Sequence, residues 1–462
     1  MRTEKDFLGE VLLEDNYYGI HTARSASNFD FNQHRTSLEL VYAIVQIKKA
    51  AALANKKIGL LDSKKCDMIV FACDQILAHR YDDQFITHSL QGGAGTSANM
   101  NVNEVIANVA LENMGFKKGN YAILSPIDDV NMSQSTNDVY PTAMKIAAIF
   151  ALRELADEFA LLQKNFIEKE QRTGHILHLG RTQYMDALPL SWGQTFSAYA
   201  SVINRDRWRL YKVEERLRTI NLGGTAIGTG INAPQKYIFA VTDLIQEITG
   251  LGLARSENLI DATQNLDVFV EVSGLIKTAA VSLMKIANDF RLLNSGPHGG
   301  LNELTLPAHQ AGSSIMAGKI NPVIPESIVQ IALKVQGNDS IITSAVSLGV
   351  LELNAFGPLI IDALLESMTL LKGAAKKMRT HILDGLVINE AVCLEHLERS
   401  TALITILNPI LGYETTSHII SKANRDNKTV RTVMLEEGLF SEEELNRYLD
   451  SQSLISPGII KR

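Results

Sequence analysis

The sequence predicts a mainly α-helical protein: a central bundle of long helices forming a multi-subunit helical core, flanked by two smaller domains. Three observations carry this. Five apolar stripes step by three and four residues, as one face of a helix requires. Only 11 prolines occur in 462 residues, too few to interrupt them. The glycine- and hydroxyl-rich sequence is gathered into a few short clusters at or near the ends of those stripes.

Taken in order, the residues before about Pro141 are mixed. Short helices are expected around Ser37 to Asn55 and Lys64 to Ala78, followed by glycine-rich loops. The first long stripe is Leu152, Leu155, Phe159, Leu162 and Phe166. The second is Phe196, Tyr199, Ile203, Leu210, Val213 and Leu217, with Asp206 interrupting its seam. The third is Phe269, Val272, Ile276, Ala279, Leu283, Ile286, Phe290 and Leu293. Ile328, Ile331 and Val335 begin a fourth, and Ile361, Leu364, Met368, Leu371, Ala375 and Met378 make a fifth. Helices of roughly 20–30 residues at this period pack side by side with shallow crossing angles. After about Asn389 short helices return, and Ser441 with Glu444 ahead of Leu445 is a capping-box start. The expected division is an N-terminal domain over 1–136, a bundle over 137–391 and a small helical domain over 392–462. Apolar residues off the stripes, such as Val268, Leu275 and Val281, make the third helix apolar over most of its circumference. One five-helix bundle could hardly cover such helices, which points to bundles from several subunits packed together.

Composition excludes several function classes. The chain is 46% hydrophobic and 21% charged, as in ordinary globular proteins, and its net charge of −7 argues against nucleic-acid binding. Cys66, Cys73 and Cys393 form neither a disulfide framework nor a close metal pair, which suits a reducing compartment. The start of the chain, Met1 to Asp6, lacks the apolar core of a signal peptide, and no apolar run is long enough to span a bilayer. A cytoplasmic protein without a membrane partner is expected.

Four polar clusters stand out: Gly92 to Asn101, Ser133 to Asp138, Gly180 to Gln183, and Gly312 to Asn321. Ser, Thr and Asn at helix N-termini have a structural explanation, since they cap unpaired N–H groups. Four clusters of neutral donors with one lysine also suit an anionic ligand, which helix N-termini favour. The last cluster is polar, punctuated by Gly312 and Gly318 and bounded by Pro322, so it reads as a loop presenting side chains and N–H groups to something small and anionic. The run Gly223 to Gly230 lacks a preceding strand pattern and a P-loop lysine, and reads as a helix connection. His298 and His309 are rival bases by residue type; the plainer reading is a helix end or subunit contact.

In this order and at these separations the clusters resemble the aspartase/fumarase superfamily of lyases, from Tyr17-Tyr18-Gly19-Ile20-His21-Thr22 to Leu454. Gly312 to Asn321 resembles the superfamily's signature loop. Gln91-Gly92-Gly93-Ala94-Gly95-Thr96-Ser97, Gln183 and Gly300-Leu301-Asn302-Glu303 are similar to the aspartase branch rather than the fumarases. The chain departs from the usual pattern at Ala317, at Thr87-His88 and at His298.

The resemblance implies an aspartase/fumarase-like fold and reversible deamination of L-aspartate to fumarate, through C3 proton abstraction and an aci-carboxylate dianion. It implies Ser313 as base, and Thr96, Ser135, Thr136 and Ser314 as donors to the dianion. Lys319, Asn321 and Thr182 would hold the α-carboxylate, with Arg24 an outer contributor, and Asn137 and Gln183 would lie near the departing amine. It further implies a homotetramer whose sites are shared between subunits. No cofactor and no metal are expected, because the chemistry is proton abstraction with electrostatic stabilisation. The alternatives are a fumarate hydratase, a lyase of another C2-substituted succinate, or a non-catalytic relative serving as a scaffold.

Overall fold

A computed structural model describes residues 1–458. The chain forms two compact units. The first comprises Met1–Ala156, Arg209–Thr278 and Lys334–Leu371; the second comprises Asp157–Trp208, Ala279–Leu333 and the chain from Lys372 onward.

The first unit opens on an antiparallel hairpin, β1 (Arg2–Asp6) and β2 (Gly9–Leu13), in which Arg2 pairs with Leu13. Three helices follow: α1 (Ile20–Asn28), α2 (Leu38–Lys57) and α3 (Ser63–Leu77). The latter two match the short helices expected there. α3 starts where Asp62 accepts the N–H groups of Lys64 and Lys65, satisfying two of the donors a helix N-terminus leaves open. α4 (Thr96–Asn113) is buried continuously from Ser97 to Leu111, although it carries Asn99, Asn101, Asn103, Glu104 and Asn108. Each of them makes side-chain hydrogen bonds: Asn101, for example, accepts from the Ile86 N–H and donates to the Gln84 carbonyl, although the Asn99 and Asn103 oxygens have no partner.

The five expected long helices are α5 (Thr136–Thr173), α6 (Trp192–Leu217), α9 (Val268–Leu293), α10 (Val323–Val346) and α11 (Gly357–Lys377); between α6 and α9 lie α7 (Gln235–Thr249) and α8 (Leu259–Gln264). The stripes read from the sequence are their buried faces: Leu155, Phe159, Leu162 and Phe166 on α5 have no exposed surface, nor do Phe269, Val272, Ile276, Leu283, Ile286 and Phe290 on α9. Asp206, the break in the α6 seam, is itself buried. Off the stripes, Val268 and Leu275 are half-buried and Val281 is 47% exposed.

Strands are few and short. β3 (Leu177–Thr182) pairs antiparallel with β4 (Met185–Ser191). β5 (Thr219–Ile220) lies parallel to β6 (Ala254–Arg255), and β7 (Leu304–Thr305) antiparallel to β8 (Val387–Ile388). The second unit continues with α12 (Glu390–Arg399) and further short helices, whose core includes Leu397, Leu403, Ile404, Leu407, Ile419, Val433, Met434 and Leu445. The helix Glu442–Tyr448 begins with the expected capping box, the Ser441 and Glu444 side chains each accepting the other's backbone N–H. The last four residues of the expected domain 392–462 lie outside the described residues. No helix of the described residues is long and apolar enough to cross a membrane.

Candidate active site

In the first unit, Ser135, Thr136 and Asn137 form the entry to α5. Ser135 Oγ accepts the Asn137 N–H at 3.2 Å, the hydroxyl cap its residue type suggests. Pro141 stands inside the first turns of α5 and has no N–H to offer the Asn137 carbonyl. That carbonyl is satisfied instead by Asn221 Nδ2 at 3.0 Å. The Asn137 side chain donates to the Ala226 carbonyl at 2.8 Å. The Gly223 to Gly230 run, a helix connection as expected, is thus tied to the start of α5.

Asp138 completes the tie. Its buried carboxylate accepts the N–H groups of Ser135, Gly223 and Thr225 at 3.0, 3.0 and 3.1 Å. Burial raises its pKa to about 6, while those three N–H groups pull it down, so it stays ionised at neutral pH. An open pocket of about 390 Å³ lies between this entry and the connection, lined by residues including Ser133, Ser135, Thr225, Ile227 and Asn232.

Thr96 is the first residue of α4, and Gly95 before it has φ +91°. A Cβ at Gly95 would stand 2.3 Å from the Tyr140 ring, so glycine is required by both conformation and space. Thr96 Oγ1 donates to the Gly93 carbonyl at 2.7 Å. One turn on, Asn99 Nδ2 donates to Thr136 Oγ1 at 3.1 Å, joining the first two clusters. Arg24 sits elsewhere in this unit: its guanidinium holds Asp6 at 2.8 and 2.9 Å and the Gly9 carbonyl at 3.1 Å. That ion pair keeps the Asp6 carboxyl below the usual range.

In the second unit, the third cluster is presented differently from the sequence expectation. It does not run directly into a helix: Thr182 and Gln183 stand at the tip of the β3–β4 hairpin, and β4 intervenes before α6. Gln183 and Tyr184 both have positive φ, +55° and +66°, the signature of a two-residue turn whose twist matches the strands. Thr182 and Gln183 are exposed there. Their neighbour Arg181 points into the unit, giving Nη2 to Glu303 Oε1 at 2.6 Å. His396 Nδ1 meets the same oxygen at 2.8 Å. His178 stacks on Trp192 at 4.5 Å, and burial pushes its pKa down to about 4.

The signature loop closes on itself. The Gly312 N–H bonds the Lys319 carbonyl at 2.8 Å, and Asn321 Nδ2 bonds the Gly312 carbonyl at 2.7 Å. A Cβ on Gly312 would lie 2.6 Å from the Lys319 carbonyl oxygen. Within this ring Ser313 Oγ accepts two backbone N–H groups, from Ile315 at 3.2 Å and Met316 at 2.8 Å. Ser314 and Lys319 are exposed, and α10 begins two residues beyond Asn321. The rival histidine His309 is engaged with the His381 carbonyl at 2.7 Å.

The described residues thus assemble three groups: Thr96 with Ser135, Thr136 and Asn137; the hairpin tip with Thr182 and Gln183; and the loop with Ser313, Ser314, Lys319 and Asn321. Sequence reasoning missed the side chains beneath them. Lys48 was the most detectable, an ammonium among the buried Ile44, Val45, Ala51 and Ala52 one turn away on α2. Asn131 carries no such signal, while Asn99 stands inside the first polar cluster and Glu303 inside the Gly300 to Glu303 motif, neither with a role read from the sequence.

Comparison with known proteins identifies the family. A lyase family model matches residues 12–337, and a model of the fumarase C C-terminus matches 403–456. An aspartate ammonia-lyase from a Bacillus species is 44% identical, over 100% of this chain and 99% of the relative. The aspartate ammonia-lyase of Escherichia coli is 41% identical, over 99% of this chain and 96% of the relative. A cobalt-bound fumarate lyase:delta crystallin from Brucella melitensis superposes with a TM-score of 0.95 at 43% identity, covering 99% of this chain and 100% of that one. A class II fumarase from Schistosoma mansoni gives 0.92 at 32% identity, covering 98% of each. With its signature loop closed around Ser313 and kinship along its whole length, the chain belongs to the aspartase/fumarase superfamily of lyases.

Proposed function

We infer that this chain is an aspartate ammonia-lyase, a carbon–nitrogen lyase that converts L-aspartate reversibly to fumarate and ammonia. What carries the reading is full-length identity of 41–44% to proteins of that name. The signature loop supports the chemistry. A serine is a poor base, but two N–H groups directed at Ser313 Oγ favour its anionic form, and Lys319 lies in the same ten-residue ring. Ser313 would take the C3 proton, and the bonding pair would pass into the β-carboxylate as the aci-carboxylate. That pair then returns to form the C2=C3 double bond as the C2–N bond breaks, the ammonium nitrogen taking the C2–N pair and leaving as ammonia.

The harder task is holding the dianion, where preorganised donors contribute about 10²–10³ each. Ser135, Thr136 and Ser314 are the donors, together with Thr96 once its O–H turns from the Gly93 carbonyl. Lys319, Asn321 and Thr182 would hold the α-carboxylate, and Asn137 and Gln183 would face the amine. Arg24, engaged with Asp6, would act only through the N-terminal segment. We further infer a cytoplasmic homotetramer with shared sites, supported by three buried free thiols and by apolar residues exposed on the long helices.

The test is to follow fumarate absorbance with L-aspartate, L-malate and argininosuccinate separately. Fumarate from aspartate alone is expected; fumarate from malate but not aspartate would overturn the reading.

A further inference from the structure

One buried cation lies beneath the first group of donors. Lys48, in the middle of α2, is completely buried, and among the described residues no carboxylate lies within ion-pair distance of it. Its Nζ donates to Asn131 Oδ1 at 2.8 Å and to Gln134 Oε1 at 3.0 Å, both in the segment leading to Ser135. An ammonium has donors and no acceptor, so each amide must turn its oxygen towards it.

The orientation then propagates. Asn131 Oδ1 also accepts from Asn99 Nδ2 at 3.2 Å and Asn103 Nδ2 at 3.1 Å, while Asn131 Nδ2 donates to the Gln134 carbonyl at 3.2 Å. Asn99 must therefore present its nitrogen, whose other contact is Thr136 Oγ1 at 3.1 Å. With one lone pair taken by that N–H, the Thr136 hydroxyl has its proton to give elsewhere. A flipped Asn99 would accept that proton and turn Thr136 away from any ligand.

We propose that Lys48 is a positioning residue which, through Asn131 and Asn99, orients the Thr136 hydroxyl as a donor to the developing dianion and sets a positive charge behind it. The proposal rests on the reading above in which Thr136 serves the dianion. It gives a reason for enclosing a charge without a contacting carboxylate, a costly arrangement unless something uses it. Burial lowers this ammonium to about 7, against the pull of Asp138 on α5 and Cys73 on α3. An arriving dianion would favour its charged form.

The test compares purified full-length wild type, Lys48→Met, Thr136→Val and the double variant. Each is assayed for turnover and for inhibition by succinate, a ground-state dicarboxylate, and by a β-nitro carboxylate whose nitronate mimics the aci-carboxylate. Losing one oriented donor should lower kcat about 10–100-fold in Lys48→Met and weaken the nitronate similarly, with succinate within about threefold. In the Thr136→Val background, Lys48→Met should cost under about threefold more, because both act on one hydrogen bond. Equal weakening of nitronate and succinate, or effects that multiply, would overturn the proposal. Near-normal turnover of Thr136→Val would instead remove the reading on which it rests. Should Lys48→Met not fold, Asn99→Asp carries the test: its carboxylate draws the Thr136 proton inward, so the same nitronate-selective loss is expected, and unchanged nitronate binding refutes the idea.

Discussion

At the scale of single residues, the candidate residues divide into loop side chains near the surface and buried supports. Ser313, half-buried in its loop, is of the first kind. Its oxygen accepts two N–H groups from its own loop, so Ser313→Ala removes a proton acceptor without disturbing a core. Turnover should fall by about 10²–10⁴, the usual share of a general base, while succinate binding measured by calorimetry stays unchanged. Retained turnover would reassign the base. Lys48 shows the second kind, and its burial makes a stability prediction with a definite sign. The folded ammonium titrates near 7 and the ordinary one near 10.5, so between those values the unfolded chain holds more protons. Stability from this group therefore rises with pH across that window. Denaturation midpoints of wild type and Lys48→Met should diverge in favour of wild type from about pH 7 to about pH 9.5.

At the scale of elements, two devices position whole segments. Glu104, in the buried middle of α4, accepts the N–H groups of Gly19, His21 and Thr22 at 2.9, 2.9 and 3.1 Å, and the Thr22 hydroxyl at 2.5 Å. Together with Glu4, which accepts the Ile20 N–H at 2.8 Å, it satisfies the N-terminus of α1, which has no side-chain cap of its own. Glu104→Ala would leave those donors buried and unpaired, costing about 3–5 kcal/mol in denaturant unfolding at fixed protein concentration. The second device is the ring of the signature loop. A methyl at Gly312 would collide with the Lys319 carbonyl and the Asn321 nitrogen, 2.6 and 2.7 Å away. Gly312→Ala should open the ring and lower kcat more than about tenfold, because positioning is lost. Stability should change by less than about 1 kcal/mol, since most of the loop is exposed. A large stability loss with intact turnover would contradict this account.

At the scale of the whole molecule, the long helices leave apolar surface that one chain does not cover: Leu161 is 47% exposed, Val281 47% and Leu333 55%. Under the proposed association these side chains would be covered by other chains. If four copies associate and each site draws on several of them, two inactive variants can rescue each other. Mixing Ser313→Ala with Thr136→Val under conditions that exchange subunits should restore partial activity, because some sites then receive an intact serine and an intact threonine. Light scattering should give a tetramer; a monomer, or mixing without any recovery, would exclude shared sites.

The sequence by itself determined the helices, their buried stripes, the capping box at Ser441 and the residue types of the polar clusters. Those are local properties: a period of 3.6 residues or a Ser-x-x-Glu spacing is visible in a dozen consecutive letters. The tertiary structure alone decided which polar groups meet. Arg24 reads equally as a ligand or a structural cation until Asp6, 18 residues away, is seen in its grip. Thr182 and Gln183 looked like part of a helix approach, but two left-handed residues place them on a hairpin tip. Lys48 and Asn131 are 83 positions apart, and nothing in either neighbourhood names the other. Periodicity records which face of a helix leaves water; it does not record which donor finds which acceptor there. That pairing exists only once the elements have packed, and it is what gives a hydroxyl such as that of Thr136 its partner.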